Sequence, residues 1–442
     1  MPHPISTSLP PAETVDAAAS ADHAAMLARL DGAQHGVDAY LADQSREADS
    51  NQDIRGHREP ELSVVMPCLN EADTLAVCIQ KARRAMNEHG IHGEIIVADN
   101  GSTDGSIEIA KRLGARVVPV ADKGYGNALR GGIQAARGKY VLMGDADDSY
   151  DFLEIPKFLA ELRAGHALVQ GCRLPSGGGT IMPGAMPPSH RWLGNPMFSW
   201  LVRRMFHAPI HDVYCGMRGF TRELYNQLDL RSTGMEFATE MIIKSSLFGV
   251  DVAEVPTTLH PDGRKAHAPH LRTVRDGWRT LRFFLMYSPR WLFLVPGAAL
   301  FAIGLIGYLL ALPGMTLFGA TLDVHTLLVA SLAMLLGSQA IQFAVFAKTF
   351  AISEGMVPED DRMRRFRRLV TLERGLALGV VATTVGAGLI LAAVNQWRTA
   401  AFGALDYATT MRWVIPGVTL AALGCQTLFS SFFLSILRMA RK

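Results

Sequence analysis

The hydrophobic and polar positions of residues 61–144 alternate between short apolar runs and longer amphipathic stretches. Four runs rich in β-forming residues, LSVVMP, EIIVADN, ARVVPV and KYVLMGD, predict strands. The stretches between them have helical periodicity and predict helices at 72–88, 104–113 and 125–136. Strands that alternate with helices indicate a parallel sheet with crossover helices, so the predicted fold class is α/β.

Later in the chain, four apolar stretches are long enough to cross a bilayer, which takes about 20 such residues. Buried core helices are the alternative, but a run of four such segments favours membrane spans. The sequence therefore predicts an α-helical transmembrane domain at 291–442, with spans at about 291–312, 327–347, 375–394 and 413–437.

Basic residues are unevenly distributed among the loops that join these spans. The segment 348–374 carries seven and the tail RMARK carries three, whereas the loop PGMTLFGATLDVH carries none. Cytoplasmic loops are enriched in Lys and Arg. We therefore expect a multi-pass protein of the cytoplasmic (inner) membrane, with its large N-terminal part and its C-terminus in the cytoplasm.

Composition divides the part of the chain that precedes the predicted spans into three segments. Residues 1–58, rich in Ala, Asp, Ser and Gln, predict a mobile extension, and 59–265 form the α/β domain. Residues 266–290 predict amphipathic juxtamembrane helices in the headgroup layer, with a helix packed on the α/β domain as the alternative. Their apolar stripe is Leu271, Val274, Trp278, Leu281 and Leu285, and their basic stripe is Arg272, Arg275, Arg279 and Arg282.

The run VLMGDADDSYD places several carboxylates directly after the fourth predicted strand. Ligands of such sheets bind just beyond the carboxyl ends of the strands. Asp145 and Asp147 are two positions apart, so in an extended segment both face the same way. A few carboxylates together with phosphate oxygens suit Mg²⁺ or Mn²⁺. The run therefore predicts a metal site, with a solvated acidic turn as the alternative.

Five motifs of this sequence resemble those of a known protein family. SVVMPCLNEADTL, IIVADNGSTDGS, KGYGNALRGGI, YVLMGDADDSYD and GCR follow in the order found in family 2 glycosyltransferases. The chain most resembles the polyprenyl-phosphate branch, the relatives of dolichyl-phosphate mannose and glucose synthases, over about Leu62–Leu294. The resemblance implies a GT-A-type nucleotide-binding domain, a parallel-rich sheet with helices on both faces. It also implies inverting transfer of a sugar from a nucleotide-sugar, expected to be a UDP-hexose, to a polyprenyl phosphate.

The resemblance also assigns residues on the donor side. Asp145 and Asp147 match the metal motif, Asp147 is expected to act in catalysis, and Ser149 stands where some relatives carry a further metal ligand. The residues that match nucleotide-sugar contacts are Pro67, Asn70, Glu71, Asp99, Lys123, Gly124 and Asp145. Local structure offers alternatives, because Pro67 can end a strand, Glu71 can favour a helix N-terminus and Asp99 can shape a turn.

Glu236 lies farther along the chain, in a predicted helix. Two uses are open for it, closing the sugar pocket and a plain charge on the helix surface.

The acceptor implied by the resemblance needs different chemistry. A lipid phosphate is already an anion, so it requires charge compensation and positioning rather than a general base. Arginine pairs well with phosphate oxygens, which makes Arg173, Arg191 and Arg218 candidates. Asn195 follows Arg191 by one helical turn, the spacing at which the family holds the acceptor phosphate. Arg173 and Arg191 are expected to act in catalysis; a surface charge is the alternative for each.

Two other functions compete with this interpretation. A processive polysaccharide synthase would carry Q-x-x-R-W before a membrane helix, and the nearest match, YSPRW, lacks the glutamine. A membrane scaffold or transporter with an inactive nucleotide-binding domain is disfavoured, because the motifs are intact and the spans hold few polar side chains. The net charge of +2 does not point to any particular partner, and no nucleic-acid partner is expected. A homo-oligomer through the transmembrane domain stays open.

Overall fold

The computed structural model describes residues 59–264, 273–317 and 319–439. The predicted N-terminal extension, residues 1–58, lies outside the described residues. The first part of the predicted juxtamembrane segment, up to residue 272, also lies outside them.

The predicted strands and helices of the α/β domain are present with small shifts at their ends. The strands are β1 Leu62–Cys68, β2 Gly93–Asp99, β3 Arg116–Pro119, β4 Tyr140–Met143, β5 Leu168–Cys172, β6 Thr180–Ile181, β7 Arg218–Thr221, β8 Val252–Pro256 and β9 Thr258–Leu259. The helices are α1 Leu75–Glu88, α2 Ser106–Arg112, α3 Tyr125–Ala135, α4 Ile155–Ala164, α5 Asn195–Phe206, α6 Arg222–Leu228 and α7 Glu236–Leu247.

The main sheet has seven strands in the order β3-β2-β1-β4-β7-β5-β8. The four strands that the sequence predicts pair in parallel, with β1 between β2 and β4. Strand β7 is antiparallel to both of its neighbours, so the sheet is parallel-rich rather than wholly parallel. The parallel arrangement brings the ends of β1, β2, β3 and β4 to one rim of the domain.

Helices cover both faces of this sheet, as the alternation within β1 shows. Leu62, Val64 and Met66 are buried in the core on one face, with Ile79 of α1, whereas Val65 is buried in the core on the other face, with Ile133 of α3. Because both faces are packed, the strands read as nearly continuous apolar runs.

A second part of the molecule consists of long helices. Helix α8 is Thr273–Tyr287, and the later elements are α9 Val295–Ala311, β10 Thr316–Leu317, β11 Ala320–Thr321, α10 Val324–Ser353, α11 Asp361–Leu369, α12 Leu372–Thr399 and α13 Tyr407–Leu437. Four helices are long and apolar enough to cross a membrane: Arg290–Ala311, which includes a π-helical first turn, and α10, α12 and α13. The four predicted spans are thus present, and all but the first are extended at their ends.

Small residues let neighbouring spans approach closely. A Cβ on Gly304 would lie 2.6 Å from the Ala330 carbonyl oxygen, and one on Gly386 would lie 2.4 Å from the Ala421 nitrogen. Close backbone contact of this kind is a main source of helix association where the surroundings are as apolar as the side chains.

The end of helix α8 packs on the α/β domain. Phe284 is fully buried, with ring centroids 6.0 Å from Phe198 and 6.3 Å from Phe206 of α5. Trp278, placed by the prediction in the apolar stripe, is 63% exposed. The end of α8 therefore packs on the α/β domain, while the place of the predicted stripe in the headgroup layer stays a prediction.

Candidate functional site

The first two loops of the rim are tied together by Asn70. Its backbone N–H donates to Ser102 Oγ at 2.9 Å, and its side-chain oxygen accepts the Thr103 N–H at 2.9 Å. Asn70 has φ 59°, a left-handed conformation that asparagine tolerates better than most residues. The segment after β1 is thereby fixed against the segment after β2.

Asp99, at the end of β2, shapes the next turn. Its carboxylate accepts the Gly101 N–H at 2.9 Å and the Ser102 N–H at 3.1 Å. Asn100 then reaches the third loop, where its side-chain oxygen accepts the Gly124 N–H at 2.8 Å and its carbonyl accepts from Lys123 Nζ at 2.5 Å. The predicted nucleotide residues of three loops are thus brought together. Their contacts with a nucleotide stay a prediction.

Gly124 and Gly126 lie directly against a segment that the sequence analysis did not identify. A Cβ on Gly124 would lie 2.5 Å from the Thr233 carbonyl oxygen, and one on Gly126 would lie 2.6 Å from that of Ser232. No larger residue fits at either position unless the 231–234 segment moves. This segment therefore forms one wall of the rim beside the start of α3.

Glu240 holds the 231–234 segment in place. Its carboxylate accepts the Ser232 N–H at 2.7 Å and Tyr287 Oη at 2.7 Å, and it pairs with buried Lys244 at 3.2 Å. Burial alone would raise the pKa of Glu240, but the Tyr287 and Ser232 donors and the Lys244 charge lower it. Since Tyr287 is the last residue of α8, Glu240 links the rim to the helix that leads into the first span.

The acidic pair lies at the end of β4. Asp145 is half-buried and accepts a hydrogen bond from Tyr125 Oη at 2.8 Å; desolvation and the charge of Asp147 raise its pKa to about 6. Asp147 accepts Ser149 Oγ at 2.6 Å. A carboxylate whose pKa is raised by a neighbouring carboxylate is stabilised in its charged form by a nearby cation.

Arg264 is the positive group that the sequence analysis missed here. Its guanidinium makes paired hydrogen bonds to Glu71, at 2.6 and 2.9 Å, and lies 3.3 Å from Asp147. Glu71 precedes it by 193 residues, and no local pattern indicates the pairing. The predicted nucleotide contact Glu71 is therefore joined to the acidic pair through Arg264.

The acidic pair fits a cation shared with a substrate. Among the described residues, no group of three or more His, Cys, Asp or Glu side chains could hold a metal by itself. Asp145 and Asp147 supply two carboxylates, and Mg²⁺-type sites commonly combine one or two carboxylates with phosphate oxygens of the substrate. The hydroxyl of Ser149 donates to Asp147, and its role as a further ligand stays a prediction.

Two of the predicted acceptor arginines are already bound within the protein. Arg173 pairs with buried Asp212, with Nε and Nη2 at 2.7 and 2.9 Å from its carboxylate oxygens. Arg218 is fully buried, and its terminal nitrogens donate to the carbonyls of Cys215, at 2.6 Å, and Ala238. Arg218 is therefore enclosed by the protein in this structure, and its contact with a phosphate stays a prediction.

Arg191 has a more open position, in the π-helical turn His190–Gly194 that precedes α5. Its guanidinium lies over the ring of Trp192, 5.3 Å from the centroid, and that tryptophan is 74% exposed. Asn195 begins α5, and its amide contacts Met186 Sδ at 3.3 Å. An arginine beside an exposed aromatic on this surface remains a candidate for an anionic group of a membrane lipid.

Glu236, at the start of α7, forms an ion pair with Arg279 of α8. It therefore bridges the α/β domain to the juxtamembrane helix, because one arginine of the predicted basic stripe reaches the α/β domain. Closing a sugar pocket stays a prediction for Glu236.

Comparisons with known proteins match both halves of the chain. Residues 63–229 match the glycosyl transferase family 2 model, and residues 345–438 match the model of the family's C-terminal transmembrane region. The low-salt glycan biosynthesis hexosyltransferase Agl6 of Haloferax volcanii is 38% identical over 379 residues, which cover 86% of this chain and 89% of that protein. A dolichyl-phosphate hexose transferase of the same organism is 32% identical over 197 residues, 44% of this chain and 81% of that protein.

A solved structure is also similar to this chain. Glucosyl-3-phosphoglycerate synthase from Mycobacterium tuberculosis, in complex with Mn²⁺, UDP and glucosyl-3-phosphoglycerate, has 22% identity and a TM-score of 0.40. The match covers 52% of this chain and 78% of that one.

Proposed function

This chain belongs to glycosyltransferase family 2 and is a membrane glycosyltransferase, and on that premise we propose that it transfers a hexose from a UDP-sugar to a polyprenyl phosphate. The reaction would take place on the cytoplasmic face of the membrane, require Mg²⁺ or Mn²⁺ and invert the anomeric carbon. The product would be a polyprenyl-phosphate hexose. A relative named for dolichyl-phosphate hexose transfer supports the choice of acceptor.

The observation that carries this proposal is the acidic pair on a rim that is joined to membrane spans. Asp145 and Asp147 lie with the loops after β1, β2 and β3, which hold the predicted donor contacts. The same rim reaches α8 through Glu240 and Tyr287, and α8 leads directly into the first span. One soluble substrate and one lipid substrate can meet only at such a boundary.

The acidic pair and two arginines would each have a role in this reaction. The acidic pair would bind the cation, which would offset the charge that grows on the leaving diphosphate. Arg191 would attract and orient the lipid phosphate, whose oxygen is already anionic and needs no general base. Arg173 would act indirectly, since its guanidinium is held by Asp212.

The test is a transfer assay with the purified full chain in detergent. Labelled UDP-hexoses and GDP-hexoses are supplied with polyprenyl phosphate, with Mg²⁺, with Mn²⁺ or with excess chelator. We expect one lipid-linked sugar per acceptor, lost with chelator and in Asp147→Asn. The matched control is Asp151→Asn, which alters a carboxylate near Lys81 at the same loop. A polymeric product would indicate a processive synthase, and full activity in chelator would contradict the metal site.

Arg191→Ala tests the acceptor side separately. Losing a charge-assisted contact to phosphate costs about 1.5–3 kcal/mol, or roughly 10- to 150-fold in the kcat/KM for the lipid. Donor binding should barely change. Arg84→Ala, on an exposed arginine of α1, is the control. Unchanged lipid kinetics would show that Arg191 is a surface residue, and a large loss of donor affinity would place it on the diphosphate instead.

A further inference from the structure

A cavity of about 490 Å³ lies between the last three spans and α11. Its walls include Val345 and Phe346 of α10, Leu378 of α12 and Leu434 of α13. The volume is within the roughly 300–1,000 Å³ typical of ligand sites. The lining is mostly apolar, so the cavity suits a hydrocarbon rather than a polar substrate.

The cavity lies at the end of the spans that faces the α/β domain. The first span enters from α8 and packs near its start, at Gly297, against Ala340 in the second half of α10. Gln342 of α10 accepts from Ser430 of α13 at 2.5 Å, and a Cβ on Gly375 at the start of α12 would touch Ser431. These contacts set the cavity level with the entry of the chain into the membrane.

Positive charge lies at the same end of the cavity. Arg374 is part of its lining and donates to the Leu369 carbonyl at 3.1 Å. Arg438 donates to the adjacent Val370 carbonyl at 3.0 Å, while its Nε and Nη2 are buried without a partner among the described residues. An apolar cavity with Arg374 in its lining and Arg438 bonded to Val370 of that lining is complementary to an amphiphile with an anionic head.

Resting on the function proposed above, we propose that this cavity binds the isoprenoid chain of the polyprenyl phosphate acceptor. The phosphate end would rest toward Arg374 and Arg438 before it moves to Arg191 for transfer. One cavity accommodates one chain, and a polyprenyl phosphate has one chain whereas a phospholipid has two. The Arg438 nitrogens supply donors that a phosphate oxygen accepts. The transmembrane domain therefore selects the lipid, beyond anchoring the enzyme.

Photocrosslinking tests the site without relying on activity. The full chain in detergent is labelled with a benzophenone-bearing farnesyl phosphate, and adducts are mapped by peptide mass spectrometry. We expect adducts on α10 and α13 near Val345 and Leu434, displaced by polyprenyl phosphate but not by phosphatidylglycerol. Equal displacement by phosphatidylglycerol, or adducts confined to other surfaces, would overturn the proposal.

Substitutions connect the site with acceptor use. Val345→Phe fills the cavity and should raise the KM for long polyprenyl phosphates about tenfold, as expected when roughly two methylene groups lose their burial. Val329→Phe, on the exposed surface of the same helix, should leave the KM unchanged. Equal KM values in both variants would overturn the acceptor assignment. Specific adducts without any transfer to polyprenyl phosphate would uphold the lipid site and refute the proposed function.

Discussion

Asp212→Asn should reveal how strongly the buried Arg173–Asp212 pair holds the rim together. Asp212 is fully buried and accepts the Arg173 backbone N–H at 3.0 Å, Nε at 2.7 Å and Nη2 at 2.9 Å. Its carboxylate also accepts the Tyr214 N–H at 3.1 Å. An asparagine keeps the shape but removes the negative charge, and it turns a donor group toward a guanidinium that can only donate.

The expected loss of stability follows from the arginine charge that this substitution leaves buried without a partner. Breaking a buried ion pair by removing one partner costs about 3–5 kcal/mol, because the other charge stays buried without compensation. For a domain of this size each kcal/mol lowers Tm by roughly 2–4 °C, so Tm should fall by about 6–20 °C. The assay is a thermal-shift measurement on the full chain in detergent at pH 7, followed through the catalytic domain's tryptophan or ligand signal.

A matched exposed pair provides the control. Arg163 makes two hydrogen bonds to Glu61, at 2.8 and 2.7 Å, with much of both side chains exposed. Arg163→Gln should change the free energy of unfolding by at most about 1 kcal/mol. If Asp212→Asn behaves like Arg163→Gln, the buried pair does not stabilise the domain and our interpretation of Arg173 is refuted.

The same pair predicts a pH dependence. Burial would raise the pKa of Asp212, but the charge and hydrogen bonds of Arg173 outweigh burial and lower the pKa from its ordinary value. A carboxyl whose pKa is depressed on folding stabilises the protein above its unfolded pKa and loses that contribution as the pH falls through the folded value. The Tm difference between wild type and Asp212→Asn should thus be complete at pH 7 and shrink below about pH 4.

Two further predictions concern the link to the membrane. Tyr287→Phe removes the hydrogen bond to Glu240, worth about 1.5–3 kcal/mol because the acceptor is charged, and should raise the donor KM by loosening the 231–234 segment. Tyr225→Phe, on α6 with its ring stacked on Phe220, should leave the donor KM unchanged. A donor KM equal to wild type in both variants would show that the segment does not shape the donor site. A reporter fused after Lys442 should give a cytoplasmic signal and one inserted at residues 313–323 an external signal; a cytoplasmic signal from 313–323 would contradict the topology.

The sequence by itself predicted the elements whose signal is local. Apolar runs separated by amphipathic stretches predicted β1 to β4 and the helices between them, since a strand buried on both faces and a helix with one buried face differ in periodicity. Length and hydropathy predicted the four spans, because a long continuous apolar run is also a local signal. The comparisons confirm the family that the ordered motifs indicated. The position of the acidic pair was also predictable, because residues that directly follow a strand lie at that end of the sheet.

Only the tertiary structure decided which charges are paired. Arg264 reaches Glu71 and Asp147, Arg173 is held by Asp212, and Arg218 is enclosed. These partners come from distant parts of the chain, and an arginine looks the same in sequence whether it is exposed or buried. A pairing across the fold depends on where two backbones meet, which no periodicity encodes.

The tertiary structure alone also determined the packed face of α8 and the cavity between the spans. The stripes of α8 predicted a membrane surface, which stays a prediction, but they gave no sign that Phe284 and Tyr287 contact α5 and Glu240. Along the spans nearly every position is apolar, so hydropathy cannot distinguish a side chain that faces lipid from Val345, which lines the cavity. That distinction depends on how closely helices approach one another, at glycines such as Gly375 and Gly386, and it exists only once they have packed.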